Sequence, residues 1–251
     1  MFVTRRGFRI SYQVFGTGPD LVLIHGLYMW GSRWHDTGYV DALAGKFRLI
    51  VPDMIGHGES EKPQDPAAYG PVNMAADVLA ILDAEGIGQA HVWGYSMGAN
   101  VSETLAVTAP DRVRSLTLGG FPPGLSREQL DAFEWEIPDS WEEWDDGSFP
   151  PAVVAMFRDH NPDFRPIRAC MQAIWSRPAV SLAGLRALAG PILTYIGADD
   201  YMADLAREQC AALPCRLEIV PGGHVEAFRE IDNVLPFALS HLDAAATAAS
   251  A

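Results

Sequence analysis

Cysteine is scarce in this chain, with Cys170, Cys210 and Cys215 as the only three among 251 residues. An odd number without a CxxC spacing argues against a disulfide framework and against a zinc site, and predicts three ordinary buried or half-buried thiols. Long apolar runs are missing too. No stretch approaches the ~20 apolar residues that span a bilayer, so no membrane span is expected. Arg5 and Arg6 lie close to Met1, but no apolar segment of the kind found in a signal peptide follows them. Positive charge is in short supply: 18 Lys and Arg stand against 32 Asp and Glu, a net charge of −14. Such a surface repels a phosphate backbone and disfavours nucleic acid as a partner. These absences describe a soluble chain, with the cytoplasm as the expected compartment.

What is present is a rhythm of short apolar runs and amphipathic segments, which predicts βαβ units around a mostly parallel sheet. The stretch 8–14 alternates before Gly16-Thr17-Gly18-Pro19 and is expected to form an edge strand and turn. Leu21-Val22-Leu23-Ile24 and Leu49-Ile50-Val51 are continuous apolar runs, as suits strands covered on both faces. Later strands are expected at 91–93, 116–118, 192–196 and 217–220. Helical spacing marks 72–85, 97–109 and 203–213, and a helix over 225–242 should kink or break at Pro236. An Ala-rich tail over 244–251 is expected to be disordered.

The rhythm fails between 121 and 185, where prolines punctuate short helical pieces. This region carries Trp135, Trp141, Trp144 and Trp175 beside Glu134, Glu136, Asp139, Glu142, Glu143, Asp145 and Asp146. An all-helical insertion into one α/β domain explains it, because strand signals resume after Pro191. The charge run is expected to be a solvated face.

The strongest chemical signal is Gly94-Tyr95-Ser96-Met97-Gly98, placed between an expected strand and an expected helix. A serine hydroxyl becomes a useful nucleophile only when a base takes its proton and its Oγ is exposed. A sharp strand-to-helix turn exposes it, and the flanking glycines let two backbones approach closely. The same turn places the Met97 N–H at a helix N-terminus, where it can hold an oxyanion.

With these residues the chain resembles the α/β-hydrolase family. His25-Gly26 is similar to the family's HG motif, and Asp53-Met54-Ile55-Gly56-His57-Gly58-Glu59-Ser60 to its D-x-x-G-H-G-x-S loop. The segment 111–116 is similar to the family's entry into a core strand. The resemblance implies a core of residues 1–120 and 186–251 and a small helical lid at 121–185 that covers the site. It also implies the chain order nucleophile, acid, histidine. Ser96 is then the nucleophile, and the acid follows the strand at 192–196. The G-x-x-D spacing favours Asp200, with Asp199 as its rival. The histidine is His224, presented by Pro221-Gly222-Gly223. The second oxyanion donor, beside Met97, is the N–H of Leu27. Tyr28, Met29 and Trp30 would lie near the pocket mouth, lining it or merely packing. Asp53, His25 and His57 are expected to shape loops, and His35, His91, His160 and His241 to pack or lie at the surface.

The implied activity is hydrolysis of a carboxylic ester or related small acyl compound, through an acyl-enzyme and with no cofactor or metal. A thioesterase, lactonase, carbon–carbon bond hydrolase or perhydrolase would carry the same residues. A non-hydrolytic, cofactor-independent oxygenase or lyase and a ligand receptor are alternatives of other classes. The sequence carries no signal for oligomeric state.

Overall fold

The computed structural model describes residues 1–133, 136–144, 150–176 and 180–248. Glu134, Trp135, Asp145 and Asp146 of the acid-rich insertion lie outside the described residues. Eight strands form one sheet: β1 (Phe2–Arg5), β2 (Phe8–Phe15), β3 (Asp20–Ile24), β4 (Arg48–Pro52), β5 (Ala90–Tyr95), β6 (Val113–Gly119), β7 (Ile192–Gly197) and β8 (Cys215–Val220). Their order is β1-β2-β4-β3-β5-β6-β7-β8. β2 runs antiparallel to both β1 and β4, and every pairing from β4 onward is parallel. β5 and β7 are buried at every position, with His91 and Thr194 as their polar members among mostly apolar residues.

Two apolar layers cover the sheet. One face packs the helices Pro71–Ala84, Met97–Thr108 and Ala203–Ala211, through residues such as Met74, Val101 and Ala206. The other packs Trp34, Tyr39, Phe228 and Leu242 from the short helices after β3 and the C-terminal segments. Between β6 and β7 the described residues form helices only: Arg127–Asp131, Trp141–Trp144, Pro151–His160, Arg165–Trp175 and Leu182–Arg186.

Three expectations are corrected. The 8–14 strand is not at the edge, because Phe2–Arg5 folds back on it through a two-residue turn. Arg6 and Gly7 occupy that turn at φ 52° and 83°, the left-handed pair that such hairpins need. The guanidinium groups of Arg5 and Arg6 then pair with the fully buried Asp77 at 3.1 Å each, which clasps the hairpin to the helix Pro71–Ala84. Second, the C-terminal segment is broken as a single helix, but not at Pro236. The chain breaks earlier, through Glu226–Arg229 and the 3-10 turn Ile231–Asn233, and Pro236 sits in the first turn of Leu235–Ala248. There its missing N–H interrupts no helical hydrogen bond. Third, residues 244–248 of the Ala-rich tail belong to that helix, in keeping with alanine's helix propensity, while 249–251 lie outside the described residues.

Candidate active site

The loops that follow β3, β5, β7 and β8 meet at the carboxyl ends of the parallel strands, where open α/β sheets characteristically bind ligands. The turn after β5 is the tightest. Ser96 adopts φ 54° and ψ −115°, a conformation that L residues rarely hold, and its N–H donates to Gly119 O at 2.7 Å. A Cβ on Gly94 would overlap the Gly98 carbonyl, and one on Gly98 would overlap the carbonyls of Ile24 and His25. The two glycines therefore let strand, turn and helix close together. This close approach leaves the Ser96 side chain partly exposed at the N-terminus of Met97–Thr108.

His224 comes from the loop after β8. Its Nε2 lies 3.0 Å from Ser96 Oγ, and its Nδ1 lies 2.7 Å from Asp200 Oδ2. The Asp200 carboxylate is buried and its Oδ1 also accepts the Met202 N–H at 3.0 Å. With Asp200 accepting, Nδ1 carries the ring proton and Nε2 is left to accept from the serine. Asp199 is exposed, and its N–H donates to Gly222 O at 3.0 Å. That bond and Ala198 N–H to Val220 O at 2.8 Å tie the two loops together, which fixes Asp200 relative to His224. The Tyr95 hydroxyl donates to the His224 carbonyl, and burial raises its pKa, so the phenol remains a donor.

The loop after β3 faces the serine from the other side, with Gly26 against the Ser96 Cβ. Among the described residues, the Leu27 and Met97 N–H groups have no acceptor. The loop is held from below by His25, whose Nδ1 donates to Gly26 O at 2.8 Å while Nε2 accepts the Met54 N–H at 3.0 Å. Burial lowers the His25 pKa to about 4, so the ring is neutral and can make both bonds. Asp53 serves the loops: its carboxylate accepts the Gly31 N–H at 2.7 Å and the Glu59 N–H at 3.0 Å.

A cavity of about 50 Å³ opens beside Ser96, lined by Leu27, Met97, Phe121, Leu125, Ile174 and Trp175 among others. Tyr28, Met29 and Trp30 do not line it. Tyr28 packs with Trp141 and Phe157, and Trp30 stacks on His160 at 3.5 Å. Glu136, Asp139, Glu142 and Glu143 of the acidic stretch are exposed. Sequence reasoning passed over Asn100 and Tyr201, both of which line the cavity. Asn100 lies one helical turn past Ser96, whereas Tyr201 lies in a loop that only the fold brings to the serine. Among the described residues, no three His, Cys, Asp or Glu side chains converge as metal ligands would.

The model of the alpha/beta hydrolase fold family matches residues 19–159. A pimeloyl-(acyl-carrier protein) methyl ester esterase of Aeromonas hydrophila subsp. hydrophila is 34% identical over 185 residues, covering 71% of this chain and 69% of that protein. A hydrolase from Pseudomonas aeruginosa PA01 superposes with a TM-score of 0.78 at 26% identity, covering 96% and 97% of the two chains. The enol-lactonase of Burkholderia xenovorans LB400 shares the fold, with a TM-score of 0.75 at 24% identity over 97% of this chain and 100% of that one.

Proposed function

This chain belongs to the α/β-hydrolase family, and we propose that within it the protein is a serine hydrolase that cleaves a small carboxylic ester through an acyl-enzyme. The observation that carries this reading is the unbroken chain of hydrogen bonds from Ser96 Oγ to His224 Nε2 and from His224 Nδ1 to Asp200 Oδ2. The similarity to a methyl ester esterase supports the ester as the bond attacked.

In the proposed mechanism His224 Nε2 takes the Ser96 proton as Oγ attacks the ester carbonyl carbon. Asp200 keeps the ring oriented and stabilises the imidazolium that forms. The carbonyl oxygen, now an oxyanion, receives the Leu27 and Met97 N–H groups, the latter at the positive end of its helix. His224 returns its proton to the departing alcohol, leaving the acyl group on Ser96. A water then gives a proton to the same nitrogen as it attacks the acyl carbon, and His224 returns that proton to Ser96 Oγ as the acid leaves. The insertion between 121 and 185 acts as a lid, since Phe121 and Leu125 from its first loop and Ile174 and Trp175 from the helix Arg165–Trp175 wall the cavity into which the acyl group fits.

A fluorophosphonate probe tests the reading directly. Labelling at one site, abolished together with p-nitrophenyl acetate hydrolysis by Ser96→Ala, is the expected result. Labelling that survives in Ser96→Ala would remove Ser96 from its role.

A further inference from the structure

Two of the three free cysteines touch. Cys210 sits in the last turn of the helix Ala203–Ala211, and Cys215 is the first residue of β8. Their Sγ atoms lie 3.5 Å apart, which is contact distance for sulfur. Backbone bonds shape the short turn between them: the Leu213 N–H donates to Cys210 O at 3.3 Å, and the Cys215 N–H to Leu213 O at 2.8 Å. The two thiols are not equivalent. Cys210 is buried, whereas Cys215 is half-buried on a strand at the edge of the sheet. As a neutral thiol Cys215 can donate to the Arg216 carbonyl at 3.4 Å. As a thiolate it can only accept, and the Cys210 S–H and the Thr194 hydroxyl, 3.3 Å away, then both donate to it. These donors hold the Cys215 thiol below the ordinary range, while the same bond and burial push Cys210 up. Cys170, fully buried beside the Met97 thioether at 3.8 Å, is pushed up by burial.

We propose that Cys210 and Cys215 form a peroxide-sensitive dithiol, in which Cys215 is oxidised first and Cys210 then closes a disulfide with it. The Cys215 thiolate attacks one oxygen of hydrogen peroxide and the O–O bond breaks. The departing hydroxide takes up the proton that Cys215 gave up, and leaves as water, so that Cys215 becomes a sulfenic acid. The Cys210 sulfur displaces the sulfenic hydroxyl, which leaves as a second water with the Cys210 thiol proton. Two thiols are oxidised to one disulfide, and one peroxide is reduced to two waters. The sulfurs pass from contact to the roughly 2 Å of a disulfide by small rotations about the two χ1 angles. β7 and β8 pair from Ile192 with Cys215 to Gly197 with Val220. Cys215 therefore lies at the far end of β8 from the loop of His224, about 17 Å along the strand, and the pair is separate from the Ser96 site.

Trypsin cuts after Arg207 and Arg216, so both sulfurs fall in one peptide, 208–216. The test treats the folded protein with one equivalent of hydrogen peroxide, alkylates the remaining thiols in denaturant and weighs the digest. The peptide is expected to escape alkylation and to be lighter by two hydrogen atoms, with dithiothreitol restoring it and Cys170 alkylated throughout. A peptide that stays fully alkylated would overturn the proposal, as would Cys170 oxidising as fast as the pair. The chain unfolded in guanidinium is expected to close the disulfide more slowly, and an equal rate there would remove the fold from the argument. Cys210→Ser is expected to leave Cys215 as a sulfenic acid that dimedone traps, and Cys215→Ser to leave Cys210 reduced. Trapping in Cys215→Ser instead would overturn the order of attack. Should a variant fail to fold, the wild-type digest decides the pairing. The readout is a mass, so it stands whatever becomes of Ser96 as the nucleophile.

Discussion

Asn161 Nδ2 donates to the backbone carbonyl of Tyr28 at 3.1 Å, which joins the helical insertion to the loop that carries Leu27. Tyr28 holds φ 68°, a costly conformation for an aromatic residue. The insertion surrounds it: its ring lies 5.8 Å from that of Trp141 and 5.7 Å from that of Phe157. Trp141 Nε1 in turn donates to Asn161 O at 2.7 Å. Asn161→Leu is therefore expected to let the loop relax and misplace the Leu27 N–H. The loss should fall on kcat, about tenfold, with KM little changed, since the donor acts on the oxyanion rather than on the bound ester. Steady-state kinetics on p-nitrophenyl acetate measure it, and an unchanged kcat would show that Tyr28 is held without Asn161.

Asp200 and Asp199 are adjacent and chemically identical, but only Asp200 is buried against the His224 ring. Asp200→Asn is expected to lower kcat by about 10³–10⁴, because an amide cannot hold the ring in the tautomer that the serine needs. Asp199→Asn should stay within about twofold of wild type, as an exposed side chain away from special features. Equal losses in the two variants would contradict this assignment.

Gly98→Ala tests the turn itself. Its new methyl group would meet two backbone carbonyls, from Ile24 and His25, and backbone in a packed sheet has little room to yield. A fall in stability of about 3 kcal/mol or a failure to fold is expected, read by urea denaturation. An unchanged midpoint would mean that β3 and the helix Met97–Thr108 are not so closely apposed.

The buried histidines predict how stability depends on pH. Burial lowers His25, His91 and His241 from the ordinary 6.5 to about 4, and His57 to about 3. In the unfolded chain each titrates near 6.5, so between that value and about 4 the unfolded state binds more protons than the folded one. Stability is then complete above pH 7 and falls as the pH drops through this window, by up to about 1.4 kcal/mol per pH unit for each histidine. Urea midpoints at pH 7.5, 6 and 5 should decline in that order. A flat series would show that these rings are protonated in the folded protein.

The core of the sheet was legible in the sequence because its signals are local. Continuous apolar runs such as Leu21-Val22-Leu23-Ile24 mark strands covered on both faces, and they stand in the structure as β3 and its neighbours. Gly94 and Gly98 announced a tight turn around Ser96, since steric exclusion at a turn acts over a few residues. Other features depend on groups far apart in the chain. Whether Asp199 or Asp200 meets His224 turns on how the loops after β7 and β8 bond to each other. Whether 8–14 is an edge depends on what Phe2–Arg5 does, and whether Tyr28 lines a pocket depends on helices more than a hundred residues later. Sequence by itself marked the strands from β2 to β8 and where the backbone must turn sharply around Ser96. Only the tertiary structure decided which carboxylate meets His224 and which aromatic rings stand beside the serine, because burial and hydrogen bonding between distant segments exist only once the chain has folded.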